Sequence, residues 1–136
     1  MITDGIAQYI GQQVEGLTYD DTGSTGNIFL ESFPSTPDEA IVVHSTGGSE
    51  ADTKLGYDAP MFMITVRGTQ DPTWAQDTWA AIYALLHGLR YTTLPDGTFL
   101  VYCIATQSGP NKAGVDENGR QQFTMNLRTE VTTERE

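Results

Sequence analysis

The 136-residue chain is poor in positive charge, in histidine and in cysteine. Seven Lys and Arg stand against 18 Asp and Glu, a formal net charge of −11. Tight nucleic-acid binding needs Lys and Arg to neutralise phosphates, so this balance disfavours it, and the few basic residues are scattered without forming a stripe. Such a balance first means solubility. Carboxylates lining a passage would also keep DNA from adhering as it moves past. The single cysteine, Cys103, excludes an internal disulfide. In the apolar run Phe99–Ala105 it reads as a buried, inert thiol. No apolar run approaches the roughly 20 residues of a membrane span. The start, MITDGIAQYIGQQ, lacks a basic region followed by an apolar stretch, so it is no secretory signal, and assembly in the cytoplasm is the expectation.

What is present suits one domain over residues 1–136 with a core of its own: 38% of residues are hydrophobic, with five Phe, six Tyr and two Trp. Ile2, Ile6, Tyr9, Ile10, Val14 and Leu17 recur at helical spacing and predict a helix from Thr3 to Glu15, capped by Thr3 or Asp4 and ended by Gly16. A polar loop, Tyr19–Asn27, precedes strands at Ile28–Phe33 and Ala40–Ser45, separated by a turn with two prolines. A long polar loop is expected over Gly47–Pro60. Met61–Val66 is apolar at consecutive positions, which predicts a strand covered on both faces and closed by Arg67 and Gly68. The second helix has the strongest signals: Asp71 as N-cap, Pro72 at the first position, Gly88 after the last turn. Its inward stripe is Ala75, Trp79, Ile82, Leu86 and Leu89, flanked by Trp74, Ala81 and Leu85.

Strands Arg90–Leu94 and Thr98–Thr106 follow, joined by the hairpin signal Pro95-Asp96-Gly97. A loop over Gln107–Gly119 leads to a last strand, Arg120–Val131. There Phe123, Met125, Leu127 and Val131 alternate with Gln122, Thr124, Asn126, Arg128 and Glu130, the mark of a half-exposed antiparallel strand. The polar end after Leu127 is expected to fray. The order α-β-β-β-α-β-β-β predicts an α+β fold, an antiparallel or mixed sheet with two main helices packed on one face.

No pattern for catalysis or cofactor binding emerges, and no cofactor is expected. There is no Walker loop, dinucleotide fingerprint, nucleophile elbow or zinc-protease helix. Thr46-Gly47-Gly48-Ser49 resembles a phosphate-cradling turn, but no Lys and no helix follow it. His44, His87 and Cys103 lie too far apart in sequence for a zinc motif, and His87 sits at a helix C-terminus where a cation is favoured. Asp20-Asp21-Thr22-Gly23 lacks the regular acidic spacing and closing Glu of a calcium loop. His44 precedes Ser45 and Thr46, but neighbouring strand side chains point to opposite faces. Glu50 with Asp52, and Asp116 with Glu117, read as solvated loop carboxylates. An enzyme or small-molecule binder would need a deep pocket joining His44 or Cys103 to convergent polar groups.

Three segments, taken in order, resemble a phage family of minor capsid or tail terminator proteins. They are Ile41–Gly48 (IVVHSTGG), Ala59–Leu89, where Val-Arg-Gly leads to a helix ending in Leu-His-Gly-Leu, and Gln107–Asn126, where Gln-Ser-x-Pro leads through Asp-Glu-Asn-Gly-Arg into the last strand. The resemblance implies a structural virion protein at the head–tail junction and no enzyme. It implies a ring, usually hexameric, that ends tail-tube polymerisation, meets the tail tube protein and a neck or head-completion protein, and lets DNA pass. Another head–tail connector is the alternative. A closed ring needs a head-to-tail interface on each subunit. The thin face of the second helix, Gln76, Asp77, Ala80 and Ala84, is the candidate for it. The candidate partner contacts are Gly47, Gly48, Ser49, Glu50, Asp52 and Lys54 in the first long loop, and Asn111, Lys112, Asp116 and Glu117 in the second.

Overall fold

The computed structural model describes residues 2–22, 25–48 and 57–132. Helix α1 (Ile2–Gln13) is followed by β1 (Ile28–Leu30), β2 (Ala40–Gly48), β3 (Tyr57–Asp58) and β4 (Pro60–Arg67). Helix α2 (Thr73–Leu86) then leads to β5 (Arg90–Thr93), β6 (Phe99–Ala105), β7 (Asn111–Val115) and β8 (Gln121–Thr132). The strands form one sheet in the order β1-β2-β4-β8-β6-β5, with β3 and β7 each pairing β8 off that path. β1 runs parallel to β2 and the other pairings are antiparallel. The expected α+β class and element order hold, with β3 and β7 as additions. No helix among the described residues is long and apolar enough to cross a membrane.

Period-two alternation puts one row per strand against the helices. Ile41 and Val43 of β2, Phe62, Ile64 and Val66 of β4, and Phe123, Met125 and Leu127 of β8 form the core with Ile6 and Ile10 of α1 and Trp79, Ile82 and Leu86 of α2. Each such fully buried large side chain stabilises the fold by about 1.5–3 kcal/mol. Gly5 of α1 lets the β5–β6 turn come close, since a Cβ there would meet an Asp96 carboxylate oxygen at 2.5 Å.

Both long loops are shorter than expected. Gly47 and Gly48 extend β2 against Met61 and Pro60, and Tyr57–Asp58 already pairs β8. Residues 49–56 lie outside the described residues, as do residues 133–136 of the tail expected to fray. The Gln107–Gly119 loop contains β7. Nor is β4 covered on both faces along its length. Its outward residues Thr65 and Arg67 are buried, but Met61 and Met63 are half-exposed.

β8 organises the sheet. On one side it pairs β4 from Gln122 to Arg128 and β3 at Val131–Thr132. On the other it pairs β7 over Gln121–Thr124 and β6 over Leu127–Thr132, leaving a break at Met125–Asn126. Side chains and a neighbouring amide fill that break. Trp79 Nε1–H donates to the Thr124 carbonyl (2.8 Å), the Asn126 N–H donates to Gln107 Oε1 (3.0 Å), and the Thr106 N–H donates to the Asn126 carbonyl (2.9 Å). Buried backbone groups need such partners.

Helix α2 begins as its sequence signals imply, with one shift. Pro72 occupies the cap position in the helical region, while the Asp71 carboxylate accepts the Thr73 N–H (3.0 Å) and hydroxyl (2.7 Å). At its end, Gly88 takes φ +81, as expected, and donates its N–H to the Cys103 carbonyl (2.8 Å), tying the helix to β6. Trp79, Tyr83 and His87 stack one turn apart, with ring centroids 5.3 and 4.8 Å apart. His87, at the helix end, accepts the Ala105 N–H at its Nδ1 (3.1 Å).

Trp79→Phe keeps an aromatic ring in the core but strands the Thr124 carbonyl. It is expected to cost about 1–3 kcal/mol of stability, read as a lower urea midpoint. An unchanged midpoint would show that this carbonyl needs no partner.

Candidate assembly interface

In α2 the stripe residues Ala75, Trp79, Ile82 and Leu86 are buried as expected, Leu89 just beyond the helix is half-buried, and Gln76, Asp77, Ala80 and Ala84 are exposed. Ala81 is a correction: assigned to a flanking inward stripe, it is exposed and widens the outer face. That face carries Ala80, Ala81 and Ala84 together, so another backbone can approach it closely there. Leu85, Tyr83 and Trp74 border it, half-buried.

The partner-contact candidates separate. Gly47 and Gly48 are exposed at the end of β2, Asn111 and Lys112 are exposed on β7, and Glu117 is exposed in the turn before β8. Ser49, Glu50, Asp52 and Lys54 lie outside the described residues. Asp116 is a structural anchor rather than a solvated loop charge. Its carboxylate accepts the N–H groups of Asn118 (2.9 Å) and Arg120 (3.0 Å) and pairs with Arg120 Nε (2.7 Å). Desolvation pushes its carboxyl up, but these hydrogen bonds and the Arg120 charge outweigh that and hold it below the usual 3.8.

Sequence reading treats Arg67 and Arg120 as the end and start of strands. In the fold they converge on the turn between β1 and β2. Arg120 Nη1 donates to the Ser35 carbonyl (2.6 Å) and lies 3.3 Å from Asp38 Oδ1. Arg67 donates to the carbonyls of Pro37 (2.6 Å) and Asp38 (3.1 Å), with its guanidinium 4.3 Å over the Phe33 ring. Burial, then the nearby Arg120 charge, lowers Arg67 from its ordinary value. Planar donors in a fixed fork suit this task, and Lys lacks them.

This clamp helps shape a groove of about 370 Å³ along the β1 edge, lined by both apolar and polar side chains, among them Tyr19, Phe29, Leu30, Phe33, Asp20 and Asp21. The Asp20 carboxylate accepts the N–H and hydroxyl groups of Thr22 and Thr25. These bonds, the Thr22 amide first, lower it to about 2. Gly23 lies outside the described residues. Burial, then the hydrogen bond to Asp4 and the surrounding carboxylates, raises the Tyr19 phenol to about 12. At the far edge Tyr91 is 72% exposed and holds φ +50. Left-handed backbone at a bulky residue costs about 1–3 kcal/mol.

Among the described residues no group of three or more His, Cys, Asp or Glu is placed to hold a metal ion. Cys103 is fully buried, and burial pushes its thiol up to about 12. His44 is half-buried on the outward face opposite Met63, away from Cys103.

The family model described as "Bacteriophage tail terminator protein" matches residues 9–133. The chain belongs to that family. Membership makes this terminator chain a structural phage protein of the tail and its joining region. No curated protein matches it in sequence. Among solved structures it is similar in fold to a chain of a structure titled "Virion of native gene transfer agent (GTA) particle". The two share 16% identity over 77% of this chain and 78% of that one, with a TM-score of 0.57.

Asp116→Asn removes the acid that holds Arg120 beside the β1–β2 turn. Because the folded acid titrates below 3.8, its contribution is complete above that pH and is lost as the pH falls through the lowered value. Wild type is therefore expected to unfold at a higher urea midpoint than Asp116→Asn at neutral pH, with the gap closing in acid. A gap that persists in acid refutes the linkage.

Proposed function

We propose that this protein is the ring-forming terminator subunit of a phage tail. A ring of identical chains caps the growing tube, joins it to the neck or head-completion protein, and leaves a central passage for DNA. The subunit is a single domain over residues 1–136, assembled in the host cytoplasm, and it performs no catalysis. The observation that carries this reading is the family match across residues 9–133, nearly the whole chain. The exposed small-residue face of α2 supports it, because a subunit in a ring must offer surface to its neighbours. The net charge of −11 supports it too, since acidic walls let DNA slide without adhering. Gln76, Asp77, Ala80 and Ala84 then belong to the subunit contact. The exposed residues Gly47, Gly48, Asn111, Lys112 and Glu117 meet tube or neck.

Electron microscopy of particles made without the protein separates the two connector roles. Overlong tails are expected for a terminator, whereas normal-length tails left unattached would make it a neck protein. Ala80→Glu or Ala84→Glu introduces a charge on an exposed surface, so the monomer should keep its circular dichroism spectrum and thermal midpoint. Assembly, measured as mass in solution alone and with tail-tube subunits, should be lost. Full assembly by both variants removes α2 from the interface.

A further inference from the structure

Acidic groups occur along the whole chain, Asp96, Asp116, Glu117 and Glu130 among them, but Lys and Arg do not. The first basic residue is Lys54, so α1, β1, β2 and their turns carry acids such as Asp4, Asp21, Glu31 and Glu39 with no basic side chain of their own. Arg67 and Arg120 are buried, their guanidinium groups turned into the β1–β2 turn. Among the described residues the exposed basic side chains are Arg90, Lys112 and Arg128, on β5, β7 and β8. A chain of net charge −11 repels its own copies. A contact that brings one acidic part against another adds to that repulsion. A contact between the β1 part of one copy and the β5 part of the next reduces it.

Shape agrees with charge. β1 and β5 are the two ends of the strand order. The β5 end carries Tyr91, a large aromatic side chain standing free beside Arg90 and falling between the paired positions Arg90↔Tyr102 and Thr92↔Leu100. The β1 end carries the groove, whose lining mixes the aromatic rings of Tyr19, Phe29 and Phe33 with the carboxylates of Asp20 and Asp21. Exposed Tyr and Arg are the residue types that anchor interfaces once seated in a pocket.

We propose that Tyr91 of one copy seats in the Tyr19–Phe29–Phe33 groove of the next, with Arg90 facing Asp20 and Asp21, as a head-to-tail contact between identical chains. Because knob and groove are different surfaces, the contact is heterologous and repeats around a ring or along a fibre. The inference rests on the reading of this protein as a self-assembling subunit. It adds the residues that select the direction of assembly. α2 leads into β5 through His87–Leu89, so the alanine face and the Tyr91 knob flank the same turn.

Sedimentation velocity of the full chain tests it, with Tyr91→Gly, Asp21→Arg, Arg90→Glu and the double charge reversal Asp21→Arg with Arg90→Glu. Asp21 is chosen because it is exposed, whereas Asp20 holds its own loop together. Tyr91→Gly should leave the thermal midpoint unchanged or raised, since glycine adopts the left-handed backbone freely, and should weaken self-association about tenfold or more. Each single reversal should weaken association, the double reversal should restore it, and added salt should weaken the wild type. Wild-type self-association that all these variants share unchanged overturns the knob-and-groove contact and leaves the ring reading standing. A wild type that stays monomeric, alone and with tail-tube subunits, overturns both.

Discussion

β8 must satisfy backbone groups along both of its sides for its whole length, and no single neighbouring strand is long enough to do so. β4 and β3 share one side, and β7 and β6 share the other. Where β7 gives way to β6, α2 supplies Trp79 and the following loop supplies Gln107. The position of α2 therefore follows from an electrostatic need in the sheet as well as from apolar contact beneath it. The resulting alignment stacks Tyr83 and His87 after Trp79 and turns Ala80, Ala81 and Ala84 away from the core.

Among the described residues no helix packs on the outward face of the sheet. Two arginines close it at one end by holding the β1–β2 turn through three backbone carbonyls. A turn with two prolines contributes few backbone N–H donors, so its carbonyls are its main means of attachment. Guanidinium groups supply the donors it lacks. The same contacts shape the β1 edge, so a structural clamp and a candidate docking groove share residues such as Phe33.

Long, strongly patterned segments were legible in the sequence. The two helices, the β5–β6 turn and the core rows of β4 and β8 follow from periodicity and turn chemistry. β7 was not legible: Asn-Lys-Ala-Gly-Val has no alternation, is mostly exposed, and is a strand because the edge of β8 needs a partner. Of the candidate interface, Gln76, Asp77, Ala80 and Ala84 lie on the exposed helix face because helical spacing alone assigns them there. Ala81 was misread because alanine suits core and surface equally. Asp116 and Arg120 are four positions apart, but their hold on the β1–β2 turn runs through Arg120 to Ser35, 85 positions away, and that of Arg67 through Asp38 and Pro37, 29 and 30 away, which no local spacing reveals. Tyr91 reads as an ordinary strand former; its left-handed backbone is set by a local break in pairing.

The strand at the middle of the sheet is also the last one among the described residues. Without residues 121–132 in place, β1-β2-β4 and β6-β5 have no strand between them, and the β4 and β6 edges that β8 covers are unpaired. Unpaired edges of that kind attract other chains. A chain in which β8 has not paired thus leaves the β4 and β6 edges open to other chains. One twelve-residue strand therefore joins the two parts of the sheet.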